Sequence, residues 1–224
     1  MRNIYITSDI KNLSKFLNSD EQLCVVNRQK PINACKYFKK LMEVDIRIIG
    51  KVSNKNGISE ITNLLKDAVP DELKHFSFYS LWISDMAHVC KLFCEFMNSD
   101  SIDFCLSTKR GCRRYHVDHV PFRLLITYAG KGTEYIPDEA ANRKAFFNGA
   151  PNEEIIIDKN KRYYMEPWDI SIFRGGKNGL LHRTPDAALN EPSLLLRLDH
   201  QKYWDYIFKQ NNNSIFDLSI KNIK

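Results

Sequence analysis

The chain has 224 residues and a mass of 26.2 kDa, room for one large domain or two small ones at roughly 100–200 residues each. Hydrophobic residues make up 43% and charged residues 27%, which excludes a chain dominated by disorder, and no apolar run approaches the ~20 residues that cross a bilayer. Lys and Arg (33) exceed Asp and Glu (27) for a net charge of +6, spread along the chain apart from clusters at 109–114 and 159–162, too weak a signal for a nucleic-acid partner.

In chain order, residues 21–28 (EQLCVVNR) and 45–53 (DIRIIGKVS) are short and rich in branched side chains, which predicts strands. Between them, Pro31 followed by NACKYFKKLME fits a helix whose first turn tolerates proline. Ile61, Leu64, Leu65 and Ala68 fall at helical spacing over 59–68, with Pro70 as the stop. The longest periodic element covers 78–98, where Phe78, Leu81, Trp82, Met86, Val89, Leu92, Phe93 and Phe96 form one apolar stripe. It predicts a buried helix packed on a sheet. Cys90 and Cys94 lie on it four apart, so they read as small buried hydrophobes; a zinc site shared with Cys105 and Cys112 lacks the usual close pairs.

After residue 98 the character changes. SIDFCLS, RRYHVDH, FRLLITYAG, EEIIIDKN, KRYYME, DISIFRGG and SLLLRLDH follow one another, separated by Gly, Pro, Asn and Asp. Short strands with regular turn signals predict a sandwich or barrel. Helical periodicity returns at 201–210 through Trp204, Ile207 and Phe208. The reading is α+β: one compact domain over 1–224, with a mixed helix and strand buttress (1–98), a jelly-roll core (99–200) and a C-terminal helix and tail (201–224). The N-terminus has no secretory leader and six cysteines do not make a disulfide framework at this length, so a reducing, cytoplasmic location is expected.

The chemistry concentrates in Tyr115-His116-Val117-Asp118-His119. On an extended strand side chains alternate, so His116 and Asp118 share one face and form a two-toothed metal clamp. A second imidazole from another strand, for which His182 is the candidate, completes a two-His, one-carboxylate facial triad that leaves positions open on the metal. The competing reading is a surface hydrogen-bonded pair at His116 and Asp118 with a loop histidine at 182. His119 points away from Asp118, and His75, His88 and His200 have no motif around them.

The order of the surrounding residues resembles the jelly-roll Fe(II)/2-oxoglutarate oxygenases. His116-Val117-Asp118 is followed by Arg123 to Thr127 and Tyr128, then by Gly132-Thr133, and later by Glu166-Pro167-Trp168-Asp169, Ile170 to Phe173, His182 and Arg197. The likeness covers about residues 105–200. Within it, HVDHVPFRLLITYAGKGTEY and the HR-x-P at His182 are similar to the uncharacterised domain of unknown function 1826 family. The resemblance implies a double-stranded β-helix and Fe(II) held by His116, Asp118 and His182. It also implies 2-oxoglutarate as cosubstrate, with Thr127 nominated by the family pattern alone. Trp168-Asp169 stands where the oxygenases have a glycine turn, and Asp199 where they have a serine.

Arg123, Arg183 and Arg197 compete to anchor the cosubstrate carboxylate, a role suited to the planar guanidinium fork. Arg197 is favoured, because it lies opposite Leu196 and Leu198 on its strand. Residues 139–149 are expected to form a short lid helix or loop. The function expected is an Fe(II)- and 2-oxoglutarate-dependent oxygenase acting on a small molecule or a protein side chain. The alternatives are a cupin-like Zn or Mn enzyme and a metal-binding accessory protein.

Overall fold

The computed structural model describes residues 4–9 and 12–200, which run in chain order from β1 (Ile4–Thr7) and α1 (Leu13–Leu17) to β10 (Leu194–His200). The first half continues with β2 (Leu23–Val26), α2 (Ala34–Leu41), β3 (Arg47–Ser53), α3 (Gly57–Leu65), α4 (Asp71–Lys74) and α5 (Ser77–Met97). The second half contains β4 (Ser101–Ser107), β5 (Phe122–Ala129), β6 (Glu134–Ile136), α6 (Arg143–Phe147), α7 (Asn152–Ile155), β7 (Tyr163–Tyr164), β8 (Ile170–Arg174), β9 (Leu181–Arg183) and α8 (Ala187–Asn190) before β10.

Seven strands make one sheet in the order β1-β2-β8-β5-β10-β4-β3, and three make a second, β7-β6-β9. All neighbours are antiparallel except β1 and β2. From β4 onward the chain passes repeatedly between the two sheets, and the short one gains a further position where His116 bridges His182. This is the double-sheet jelly roll of an α+β protein.

Period-two alternation explains how the large sheet serves two layers. Leu124, Ile126 and Tyr128 of β5, with Leu194, Leu196 and Leu198 of β10, join the core that α2 and α5 cover through Phe38, Trp82, Met86, Cys90 and Phe93. Leu125 turns the other way, into a smaller core with Leu23, Val25 and Phe173 from the same sheet and Tyr135 from the facing one. The residues between these apolar positions, Arg123 on β5 and Arg197 and Asp199 on β10, therefore face the short sheet.

Strands and helices expected in the first half appear, with one change of role. β2 pairs with β8 and β3 with β4, so the N-terminal strands extend the jelly-roll sheet at both edges while the helices cover its face. Leu81, expected in the buried stripe, is about half exposed. The segment 153–160 is a correction: α7 and a 3-10 turn (Lys159–Lys161) replace the expected strand, leaving Ile156 in a single bridge to Ala141. A run of three isoleucines satisfies strand propensity, but Pro151 begins a helical turn there and only Ile155 is buried. The helix expected at 201–210 lies outside the described residues. Among the described residues no helix is long and apolar enough to cross a membrane.

Candidate metal centre

His116 and His182 exchange backbone hydrogen bonds, N–H to O at 3.0 Å in both directions. Directly opposed residues of an antiparallel pair project to the same side, and the two imidazole centroids stand 4.4 Å apart. Each ring is oriented by its own chain: Nδ1 of His116 lies 3.0 Å from the Arg114 carbonyl and Nδ1 of His182 2.9 Å from that of Leu180. A carbonyl only accepts, so Nδ1 carries the proton in both rings and Nε2 keeps its lone pair for a metal.

Asp118 reaches the site differently from the expectation. The strand predicted through it is a single bridge at His116, and Asp118 sits in the loop that follows. What places it is the turn after β8. The N–H of Gly176 donates to the Asp118 carbonyl at 2.7 Å. A Cβ on Gly175 would stand 1.9 Å from the Val120 oxygen and 2.6 Å from the Asp118 oxygen, so only glycine permits the approach. The Asp118 carboxylate is then divided. Oδ1 accepts a hydrogen bond from Arg123, whereas Oδ2 lies 3.5 Å from His182 Nε2 and is buried without a hydrogen-bond partner.

One ligand atom from each of His116, Asp118 and His182 lies within 4.8 Å of the others, so the three could hold a metal ion. The donor set fits a divalent cation. Burial holds the His182 imidazole down to about 4, against the pull of Asp118, so it is neutral at neutral pH, the form that ligates. Burial also opposes ionisation of Asp118, but His182, Arg123, His116 and Arg197 outweigh it and hold the carboxyl below the usual carboxylate range. An ionised, buried oxygen with no hydrogen bond is costly unless a cation meets it.

A cavity of about 160 Å³ opens beside the triad, lined in part by His116, His182, Arg110, Arg123, Arg183 and Arg197. The arginines differ in what they already hold. Arg123 bonds Asp118 and, through Nε at 2.7 Å, Asp199. Arg183 meets Glu134 at 3.1 Å and Asp186 at 2.9 Å. Arg197 shares Asp199, its Nε 3.0 Å from Oδ2, and remains partly exposed to the cavity. Thr127 is buried on the face of β5 that carries Arg123 but does not line the cavity. His119 is exposed and does not line the cavity.

The expected lid at 139–149 contains α6, capped by the Asn142 side chain on the Ala145 N–H and tied by Arg143 to Asp138 and to the Gly179 carbonyl. None of its residues lines the triad cavity. Cys90 and Cys94 are buried in α5, and burial pushes both thiols up, as hydrophobic packing requires.

Two features escaped the sequence reading. Glu134, fully buried, accepts hydrogen bonds from Tyr115, Arg162 and Arg183 and so clamps the short sheet together. Arg110 belongs to the 109–114 basic cluster, the one sign of it in the sequence.

A helix-backed sheet facing a short one, with two histidines and an aspartate converging between them, defines a jelly-roll protein with a candidate metal centre. The chain belongs to the family described as protein of unknown function (DUF1826), matched over residues 7–199. No curated protein matches the sequence. Among solved structures it is similar to a BsmA homologue from Methylobium petroleophilum PM1 (12% identity, 85% of this chain and 92% of that one, TM-score 0.37). It is also similar to the Fe(II)/α-ketoglutarate-dependent dioxygenase TqaL (13%, 85% and 85%, TM-score 0.44). A Pseudomonas putida prolyl-4-hydroxylase is matched at 10% identity over 85% and 96% of the chains, TM-score 0.38. Identities and TM-scores this low leave the function to be argued from the residues themselves.

Proposed function

We propose that the chain is an Fe(II)- and 2-oxoglutarate-dependent oxygenase acting on a small molecule or a protein side chain. The observation that carries this reading is the buried, unbonded Oδ2 of Asp118 beside two imidazoles whose Nδ1 atoms are tied to backbone carbonyls. Two histidines and one carboxylate with open positions are the ligand set of non-haem Fe(II) oxygenases. Iron bound there supplies oxygen activation coupled to decarboxylation of the 2-oxo acid.

The chain's own residues hold and orient. His116 and His182 present Nε2, and Arg123 fixes the Asp118 carboxylate by its other oxygen so that Oδ2 is aimed at the metal. Of the three arginines expected to compete for the cosubstrate, Arg123 and Arg183 are each engaged by two carboxylates. The anchor role is assigned to Arg197, which lies on the cavity wall and is partly exposed.

Turnover of 2-oxoglutarate to succinate is the direct test. Reconstituted protein should release succinate slowly in air with Fe(II), even without its substrate, and His182→Ala should release none. Succinate release that persists in His182→Ala, or turnover with zinc alone, would contradict the assignment.

A further inference from the structure

The cavity beside the triad has four guanidiniums, and three of them have carboxylate partners: Asp118 and Asp199 for Arg123, Asp199 for Arg197, Glu134 and Asp186 for Arg183. Arg110 differs. Its Nη1 donates to the Lys131 carbonyl at 3.0 Å and its Nη2 to Thr133 Oγ1 at 2.7 Å, both neutral acceptors. Its Nε is buried without a partner, and among the described residues no carboxylate pairs with it. Burial lowers its guanidinium to about 10, so it is still charged at neutral pH. The side chain is half-buried, with its Nε shut off from water, and neutral groups alone do not offset the charge it brings there. A structural tether between Lys131 and Thr133 needs no positive charge.

Its position supplies the reason for the charge. Arg110 and Lys109 line the triad cavity and also an adjoining cleft of about 410 Å³. Lys109 is exposed and pairs with Asp45 at 2.5 Å, so its charge is met on the surface. Glu43, Asp45 and Glu191 on the cleft wall are exposed and oppose an anion weakly through water. Arg110 is thus a fixed cation at the boundary between a cleft able to seat a molecule and the candidate metal.

We infer that Arg110 binds an oxyanionic group, carboxylate or phosphate, of the primary substrate, holding the molecule so that it reaches from the cleft into the triad cavity. This deepens the oxygenase reading and rests on it for calling the bound molecule a substrate. The guanidinium is already oriented by Lys131 and Thr133, so an anion would meet a fork set in place. The cosubstrate is assigned to Arg197, which also lines this cavity.

Two measurements on wild type and Arg110→Met test this. In the first, metal-free protein is titrated separately with inorganic phosphate and with acetate, following ligand NMR line widths. The stronger of the two names the group, and its binding should weaken at least about tenfold in Arg110→Met, the loss expected for one charge-assisted contact. Arg110→Lys, which keeps the charge and loses the fork, should fall between. It also stands in for Arg110→Met if loss of the Lys131 and Thr133 contacts unfolds that variant, as melting would reveal. In the second, 2-oxoglutarate is titrated into the Fe(II)-loaded proteins under argon, and its affinity should stay within about twofold. Anion binding that is the same in wild type and both variants would overturn the inference. An equal loss of 2-oxoglutarate affinity would overturn it too, by making Arg110 the cosubstrate anchor. Wild type that binds no 2-oxoglutarate would overturn the oxygenase reading, and with it the anion's standing as substrate, while the first titration still decides whether Arg110 holds an oxyanion.

Discussion

Asp118 is asked to do two things at once. Its Oδ2 faces His182 and its Oδ1 is bonded to Arg123, with both carboxylate and guanidinium buried. A ligand carboxylate in an open site would add little to the metal-free fold, but this one also supports a buried cation. Breaking a buried ion pair costs about 3–5 kcal/mol. Arg123 retains Asp199 at 2.7 Å, so Asp118→Ala should lose about 3 kcal/mol or less in urea unfolding of the metal-free protein, and should fail to retain metal when reconstituted. Asp118→Asn keeps an oxygen for Arg123 and should lose metal affinity with a smaller drop in stability. If metal-free Asp118→Ala were as stable as wild type, Asp199 alone would be supporting Arg123. The His-x-Asp spacing made this residue legible in the sequence. The route by which it reaches the site was not, because the loop after His116 is placed by a close approach to Gly175 and Gly176, more than fifty residues away.

At the scale of elements, the turn before β8 shows where sequence pattern and structure meet. Trp168-Asp169 stands in the turn where the resemblance leads one to expect a glycine, and the Trp168 backbone is left-handed, φ 77°. Such a conformation costs a non-glycine residue roughly 1–2 kcal/mol. The indole is almost fully buried, edge-on to Tyr128 with centroids 4.9 Å apart and against Phe38 and Phe78. Losing a buried aromatic costs about 3–5 kcal/mol, so packing outweighs the strain. Trp168→Ala should therefore destabilise by about 3–5 kcal/mol, and Trp168→Gly by up to about 1 kcal/mol less, since glycine tolerates the backbone. Chemical denaturation ranks the two; alanine the more stable would contradict the left-handed turn.

The short sheet depends on a different device. Burial opposes ionisation of Glu134, yet hydrogen bonds from Arg162, Tyr115 and Arg183 prevail and hold its carboxyl below the ordinary 4.5. A carboxyl depressed in the folded state stabilises the protein above its unfolded value, and that stability disappears as pH falls through the folded value. Wild type should lose stability on acidification below 4.5, and Glu134→Gln, already weaker at pH 7, should show a shallower decline in unfolding free energy over the same range. Parallel curves would mean that Glu134 carries no such linkage. Nothing local in GKGTEY marks this glutamate as buried, because its partners come from residues 115, 162 and 183.

Across the whole molecule, periodicity served well where one face of an element meets a large apolar layer. α5, β5 and β10 emerged near their expected bounds because each buries a continuous stripe against the helix-backed core. It served poorly in the short sheet, whose strands of two or three residues are held by single bridges and buried ion pairs. The candidate site is built where the two sheets meet, so its histidines and aspartate could be read from spacing and family resemblance, whereas the division of the arginines among Asp118, Glu134, Asp186 and Asp199 required the fold. The proposed function requires a metal at His116, Asp118 and His182 that takes 2-oxoglutarate against Arg197. Its most direct test is a titration of Fe(II)-loaded protein with 2-oxoglutarate under argon, followed by visible absorption. A weak charge-transfer band should saturate at one equivalent in wild type and need about tenfold or more additional 2-oxoglutarate in Arg197→Met, with iron still bound. No band in wild type that holds one iron per chain would contradict it.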